Sequence, residues 1–196
     1  MDVLVPHLDL RSLVVPDEFE TERLLIRCPL PGDGAAVNAA LAESLPRLST
    51  WMDWAQELPE VAESEELQHS GIIAYRQRRA FHFNAFLKET GEFVSKPSLF
   101  AIDWRVPCCE VGYWQRTRFE GQGLMTEAVR AVTKLAFTTL FMARVELRCD
   151  PLNTRSRRVA ELAGFKLEGH LRRAARNPQG GLRDTLIYAC LEAPIT

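Results

Sequence analysis

Residues 110 to 128, Glu-Val-Gly-Tyr-Trp-Gln-Arg-Thr-Arg-Phe-Glu-Gly-Gln-Gly-Leu-Met-Thr-Glu-Ala, read as a strand, a turn and the start of a helix. At their centre, Arg118-Phe119-Glu120-Gly121-Gln122-Gly123 carries two glycines separated by one residue. Such a pair lets the backbone aim successive N–H groups at one point in front of a helix. The first-turn amides have no intrahelical partner there, and the helix dipole is positive. Arg118 adds a planar cation suited to a phosphate. The chemistry this predicts is capture of a diphosphate by the amides from Phe119 to Leu124, with Met125 behind them in the first turn.

The flanking residues narrow the ligand class. A P-loop needs Lys-Ser/Thr after its last glycine. Leu124 and Met125 stand there, so that reading fails. A dinucleotide fingerprint needs a third glycine and a carboxylate about 20 residues further on. Thr126 occupies the glycine's place, and Glu146 falls in the middle of a predicted strand.

Other residues with chemical capacity are scattered. Trp51-Met52-Asp53-Trp54 sets two indoles and a carboxylate together. Trp51, Trp54 and Asp53 suit a cationic amine through cation–π contact and charge; the same stretch also suits a hydrophobic plug under a helix pair, and both readings stay open. Cys108 and Cys109 invite a covalent acyl-enzyme, but no histidine lies near them in sequence, and cysteine is often merely buried. His7, His69, His82 and His170 lack zinc-ligand spacing, so no metal is expected.

The elements that must position these residues follow from pattern. Residues 1 to 17, with Pro6 and Pro16, read as an N-terminal extension, and residues 18 to 196 as a single domain. Thr21 to Cys28 reads as a first strand, ended by Pro29-Leu30-Pro31-Gly32. Asp33 is placed to cap a helix with Val37, Ala40 and Leu41 on its inner face. A helix over 60–79 is expected to bury Leu67, Ile72, Ile73 and Tyr75 in part. Strands are expected at 81–88, 98–104 and 110–115. After the glycine turn, Ala128, Val132, Leu135, Ala136 and Leu140 repeat at a helical period. Val145, Leu147 and Cys149 then alternate with Glu146 and Arg148 as a strand. A short helix runs from Thr154 to Ala163 and stops at Gly164. A hairpin turning at 177–181 closes the chain. This order gives an α/β (α+β) mixed sheet flanked by helices on both faces.

Composition sets outer bounds. The chain has 196 residues, 46% of them apolar, which is enough for one core. A formal net charge of -2 argues against a general nucleic-acid partner. No apolar run is long enough to span a membrane. Five cysteines without a C-x-x-C pair fit a reduced, cytoplasmic setting. Glu57, Glu60, Glu63, Glu65 and Glu66 form an acidic stretch, whereas residues 155 to 183 hold seven arginines and Lys166. The basic hairpin, Arg172 to Arg183, suits either a cofactor phosphate or an interface, and a homodimer is left open.

The ordered blocks resemble the GNAT superfamily of acyl-coenzyme A N-acetyltransferases. Arg118-x-x-Gly121-x-Gly123 is similar to its pyrophosphate loop, Thr21-Glu-Arg-Leu-Leu-Ile-Arg27 to its opening strand, and Gly112-Tyr113-Trp114 to its central strand. Asn153-x-x-Ser156, Ala163-Gly164-Phe165, Leu167-Glu168-Gly169, Arg183-Asp184-Thr185 and Tyr188 resemble its later half. With Trp51-Met52-Asp53-Trp54, the likeness is to the RimJ/RimL branch, the ribosomal-protein N-terminal acetyltransferases. The resemblance implies direct acetyl transfer from acetyl-coenzyme A to a primary amine, with a protein or peptide α-amine favoured. A polyamine or aminoglycoside-like acceptor, or a non-catalytic acyl-coenzyme A-binding module, are the alternatives. It also implies that the pantetheine arm lies along Glu110 to Gln115, touching Val111, Gly112, Tyr113 and Trp114, and that Asn153 contacts the arm. Ser156, with Tyr188 as second candidate, would protonate the departing thiolate. In this branch an acidic residue can follow the Leu-Glu-Gly block, but Arg173-Ala174-Ala175-Arg176 has none. Glu110, or a water relay, is then the candidate general base.

Overall fold

Alternating apolar residues build a sheet whose two faces serve different helices. The computed structural model describes residues 13–192, among which nine strands form one mixed sheet. In chain order these are β1 (Glu18–Glu20), β2 (Leu24–Arg27), β3 (Phe81–His82), β4 (Asn84–Leu87), β5 (Phe93–Asp103), β6 (Cys108–Gln115), β7 (Arg144–Cys149), β8 (Lys166–Arg176) and β9 (Leu182–Cys190). The helices are α1 (Gly34–Leu48), α2 (Val61–Arg76), α3 (Leu124–Thr138) and α4 (Thr154–Leu162). The strand order is β1-β2-β4-β5-β6-β7-β9-β8, with β3 also paired to β5. Every pairing is antiparallel except β6 with β7.

Directly paired residues share a face of a sheet. One face of β5 and β6 carries Leu99, Val111 and Tyr113, which join the main core with Leu124, Val129 and Val132 of α3. The other face carries Lys96 opposite Trp114, Ser98 opposite Gly112, and Phe100 opposite Glu110. Trp114 and Phe93 meet Val37, Ala40 and Leu41 of α1 there in a second apolar cluster, with Met52 packed against it. Gly112 leaves room for the Phe100 ring, which would have to shift for a Cβ that came within 2.7 Å of it.

Four sequence expectations are corrected. The expected first strand begins only at Leu24: residues 21–23 form the turn back from β1, which precedes it, and Glu127 of α3 holds that turn through Thr21 and Arg23. β5 starts at Phe93, not near 98, and tolerates Pro97 because its neighbour breaks there. Phe83, between β3 and β4, donates to the Pro97 carbonyl, so no partner needs the missing N–H. α2 buries Ser64, Gln68, Gly71 and Tyr75, while Leu67 and Ile73 are exposed. Asp33 precedes α1 without capping it; its carboxylate instead accepts both arms of Arg27 at 2.7 Å, the Leu30 N–H and Asn84. Glu65 of α2 accepts from the Gly32 and Gly34 amides in its place. Of the expected N-terminal extension, residues 1 to 12 lie outside the described residues. Leu13 and Val15 pack in the core, and the Tyr75 hydroxyl donates to the Pro16 carbonyl.

Candidate active site

β6 and β7 pair over only three positions, Cys108 with Arg144, Cys109 with Val145 and Glu110 with Glu146. From Val111 onward β6 keeps its antiparallel partner β5 but has no neighbour on the other side. Alternate N–H groups of a strand point to opposite edges, so part of the β6 backbone from Val111 to Gln115 faces an open gap. An open groove of about 2070 Å³ runs through this gap, from the glycine turn and α4 to the space under α1 and α2.

At one end stands the glycine turn. Gly121 and Gly123 both have φ of +77°, a left-handed conformation that residues with a Cβ adopt only with strain. A 3-10 turn, Thr117–Phe119, leads in, and the Phe119 ring is buried as its anchor. This structure narrows the expected set of amides. The Phe119 and Glu120 N–H groups already donate to Arg116 and Thr117. Those from Gly121 to Thr126 have no partner among the described residues, and they precede or open the first turn of α3. A diphosphate fits these donors.

Arg118 is not among the groove-lining residues. Its guanidinium pairs with Glu43 of α1 and with Glu92 in the β4–β5 connection. The cations lining the groove beside the turn are Arg47 and Arg155, both paired with Glu120. Sequence spacing could not show that two remote carboxylates compete for Arg118.

Where the strands part, the Tyr113 hydroxyl lies 3.0 Å from Ser156 Oγ. Asn153 caps α4, its Oδ1 accepting from the Ser156 N–H at 3.0 Å, and so fixes Ser156 in the helix's first turn. Burial pushes the Tyr113 phenol well above its ordinary range, the hydrogen bond with Ser156 opposing only in part. Tyr113 therefore stays protonated at neutral pH. Tyr188 lies elsewhere: it is 2% exposed and its hydroxyl donates to Glu161 at 3.3 Å, away from the groove. The phenol beside Ser156 is thus Tyr113, which the sequence marked only as a strand residue of the arm.

The other half of the groove lies on the face shared by Trp114. Trp51 and Trp54 line it, Trp54 inclined to Trp114 with ring centroids 6.4 Å apart. Met52 packs into the α1 cluster, so the segment serves as wall and plug together. Asp53 is exposed and does not line the groove. Glu110 does line it, at the point where the gap opens, 3.5 Å from Arg148. Burial raises its carboxyl above the ordinary range, Arg148 pulls it down, and Glu146 pushes it up again. Cys109 is buried, and desolvation raises its thiol to about 12, so it is no nucleophile at neutral pH. Neither Cys108 nor Cys109 lines the groove.

Sequence reasoning missed a polar cluster at this end. Lys96 donates to Gln68 Oε1 at 2.8 Å, and His82 Nδ1 lies 2.9 Å from Ser98 Oγ. All four residues line the groove. Burial lowers His82 to about 4, with Lys96 adding to the effect, so the imidazole is neutral near pH 7. The residues come from β3, β5 and α2, far apart in sequence, and only the register of β5 with β3 brings them together. Among the described residues there is no group of three or more potential metal ligands, and no helix is long and apolar enough to cross a membrane.

The family model described as an acetyltransferase (GNAT) domain matches residues 23–166. YjcK of Bacillus subtilis strain 168, a candidate N-acetyltransferase by its name, is 35% identical over 113 residues. That match covers 55% of this chain and 62% of YjcK, less than two thirds of the relative's length. YdaF of the same organism, a candidate ribosomal N-acetyltransferase by its name, is 29% identical over 173 residues, 87% of this chain and 91% of YdaF. A solved structure of RimL, a ribosomal L7/L12 alpha-N-protein acetyltransferase in complex with coenzyme A, superposes with a TM-score of 0.81. It shares 22% identity and covers 90% of this chain and 97% of its own, a likeness of fold.

Proposed function

The chain belongs to the GNAT acetyltransferase family, and on that premise we propose that it is an acetyl-coenzyme A-dependent N-acetyltransferase whose acceptor is the N-terminal α-amine of a protein or peptide. The observation that carries the reading is the gap between β6 and β7. It joins a set of free amides at one end to an open trough at the other. The ribosomal role in YdaF's name supports a protein acceptor.

When bound, acetyl-coenzyme A would supply an acetyl thioester, its diphosphate held by the amides from Gly121 to Thr126 and its arm by Asn153 beside the gap. The chain supplies the rest. Unpaired N–H groups of β6 face the gap, preorganised to stabilise negative charge developing on the carbonyl oxygen. A donor of this kind contributes about 3 kcal/mol to the transition state. Glu110 stands on the acceptor side and takes the amine's proton directly or through water. Its raised pKa makes it a stronger base than an ordinary carboxylate. On the other side, the Tyr113 hydroxyl can donate to Ser156 Oγ, which leaves the serine hydrogen free for the departing sulfur. Placing acid and base on opposite faces of β6 keeps the two proton transfers apart.

The test is mass spectrometry and thiol release with acetyl-coenzyme A and a panel of peptides, polyamines and aminoglycosides. One acetyl on a peptide's terminal nitrogen is expected. Modification of small amines alone refutes the peptide reading, and no thiol release with any amine refutes catalysis.

A further inference from the structure

The trough beneath α2 ends in a half-buried cation with no carboxylate bonded to it among the described residues. Lys96 projects from the middle of β5 on the acceptor face, and its ammonium has one protein partner, the neutral amide oxygen of Gln68. An ammonium has three hydrogens to give. The other two have no acceptor among the described residues, and no carboxylate forms an ion pair with it. Gln68 is itself saturated from this side, since its oxygen also accepts from Asn84 at 3.2 Å and its NH₂ donates to Ser64. At the rim, Arg183 of β9 is held only by the Trp51 carbonyl, at 3.3 Å, and likewise has no acidic partner among the described residues. Both cations line the groove. The groove-lining carboxylate of this strand pair, Glu110, is already opposed by Arg148.

Burying a charge without a partner is costly, and the cost is normally relieved by pairing. We infer that Lys96 and Arg183 form an anion-reading subsite that takes a carboxylate of the acceptor, an acidic side chain in the first residues of a peptide whose terminal amine points to the gap. This rests on the acceptor reading above and refines its substrate class. A polyamine or aminoglycoside would bring further positive charge to two unpaired cations and is disfavoured. A positive wall also favours the neutral form of the attacking amine, the form that reacts.

The experiment uses the full chain and peptides that share a first residue but carry acidic, neutral or lysine side chains at the next two positions. Wild-type protein is expected to prefer the acidic peptide in kcat/KM. Lys96→Gln should raise KM for the acidic peptide about tenfold, with kcat nearly unchanged and KM for the neutral peptide within about twofold. Arg183→Gln, at the exposed rim, should act in the same direction by about threefold. Calorimetric affinity for acetyl-coenzyme A should be that of wild type in both. Equal losses on all three peptides, or wild-type preference for the lysine peptide, overturns the inference. Should Lys96→Gln fail to fold, an already acetylated acidic peptide supplies the second measurement. It should inhibit wild type competitively against the neutral peptide and inhibit Arg183→Gln more weakly; equal inhibition of the two overturns the subsite. Peptides accepted without regard to charge sink this inference and leave the α-amine reading standing. Refusal of every peptide with acceptance of short amino carboxylates does the reverse.

Discussion

Replacing Lys96 by methionine should make the protein more stable and a poorer enzyme toward acidic acceptors. The magnitude follows from burial. Desolvation lowers the Lys96 ammonium from 10.5 to about 8, with Asp33 opposing at a distance. At about 1.4 kcal/mol per tenfold, holding this charge inside the fold at pH 7 costs roughly 3 kcal/mol. Methionine fills a similar volume without the charge. It removes one donor from Gln68, which keeps Asn84, and that loss offsets about 1 kcal/mol. The net expectation is a gain of about 2 kcal/mol, or roughly 4–8 °C in Tm for a domain of this size. The pH dependence identifies the cause. A basic group whose pKa is depressed on folding imposes its full cost below the folded value, here about 8. The cost fades as pH rises towards the unfolded 10.5, because the unfolded chain then also loses its proton. The advantage of Lys96→Met should shrink to under about 1 kcal/mol by pH 10. Urea denaturation of both proteins at pH 7 and pH 10 measures this. A methionine variant less stable than wild type at pH 7, or one whose advantage is the same at both values, refutes the argument that burial strains this cation.

Three further outcomes are expected. Gly123→Val must place a β-branched residue at φ +77°, so affinity for acetyl-coenzyme A measured by calorimetry should fall at least about tenfold while far-UV circular dichroism is unchanged. Ser156→Ala should lower kcat at least about tenfold with little change in acetyl-coenzyme A affinity, and Tyr113→Phe should do the same through the shared hydrogen bond; unchanged turnover in both removes the pair from proton transfer. Asp33→Asn should cost about 3 kcal/mol, because it leaves the half-buried Arg27 guanidinium without a counter-charge. Burial acts against the Asp33 carboxylate, but bonds from Arg27, Leu30 and Asn84 outweigh it and hold its pKa below 3.8. Its contribution is therefore complete above that pH and lost as pH falls through the lowered folded value, so wild type and Asp33→Asn should converge in stability on acidification.

What the sequence disclosed was local. Two glycines with a helix after them announced a phosphate-binding turn, since the reason lies in neighbouring amides, and both adopt the left-handed backbone that spacing suggested. The helix after it was legible because its apolar face repeats without interruption from Ala128 to Ala136. Properties set by distant partners were hidden. Arg118 looked free until Glu43 and Glu92 were seen to hold it. Leu67 and Ile73 suggested a buried stripe on α2, but the groove beneath that helix is polar, and Ser64, Gln68 and Gly71 turn inward instead. Tyr113 and Tyr188 are both inward strand tyrosines, and nothing in their neighbours says which one meets Ser156. Lys96 sits between Ser95 and Pro97, ahead of the strand expected at 98–104, whereas pairing with β6 places it in mid-sheet.

The three-residue contact between β6 and β7 means that the sheet is two leaves sewn by a short seam. The longer leaf, β1 to β6, is stitched throughout by antiparallel ladders, as is the shorter one, β7 to β9. A ligand lodged along the unsewn edge behaves as a wedge and a fastener at once, setting the spread of the leaves while tying them together. Those amides of Val111 to Gln115 that face the gap should then exchange hydrogen slowly in the loaded protein and fast in the empty one, although no strand pairs with that edge in either.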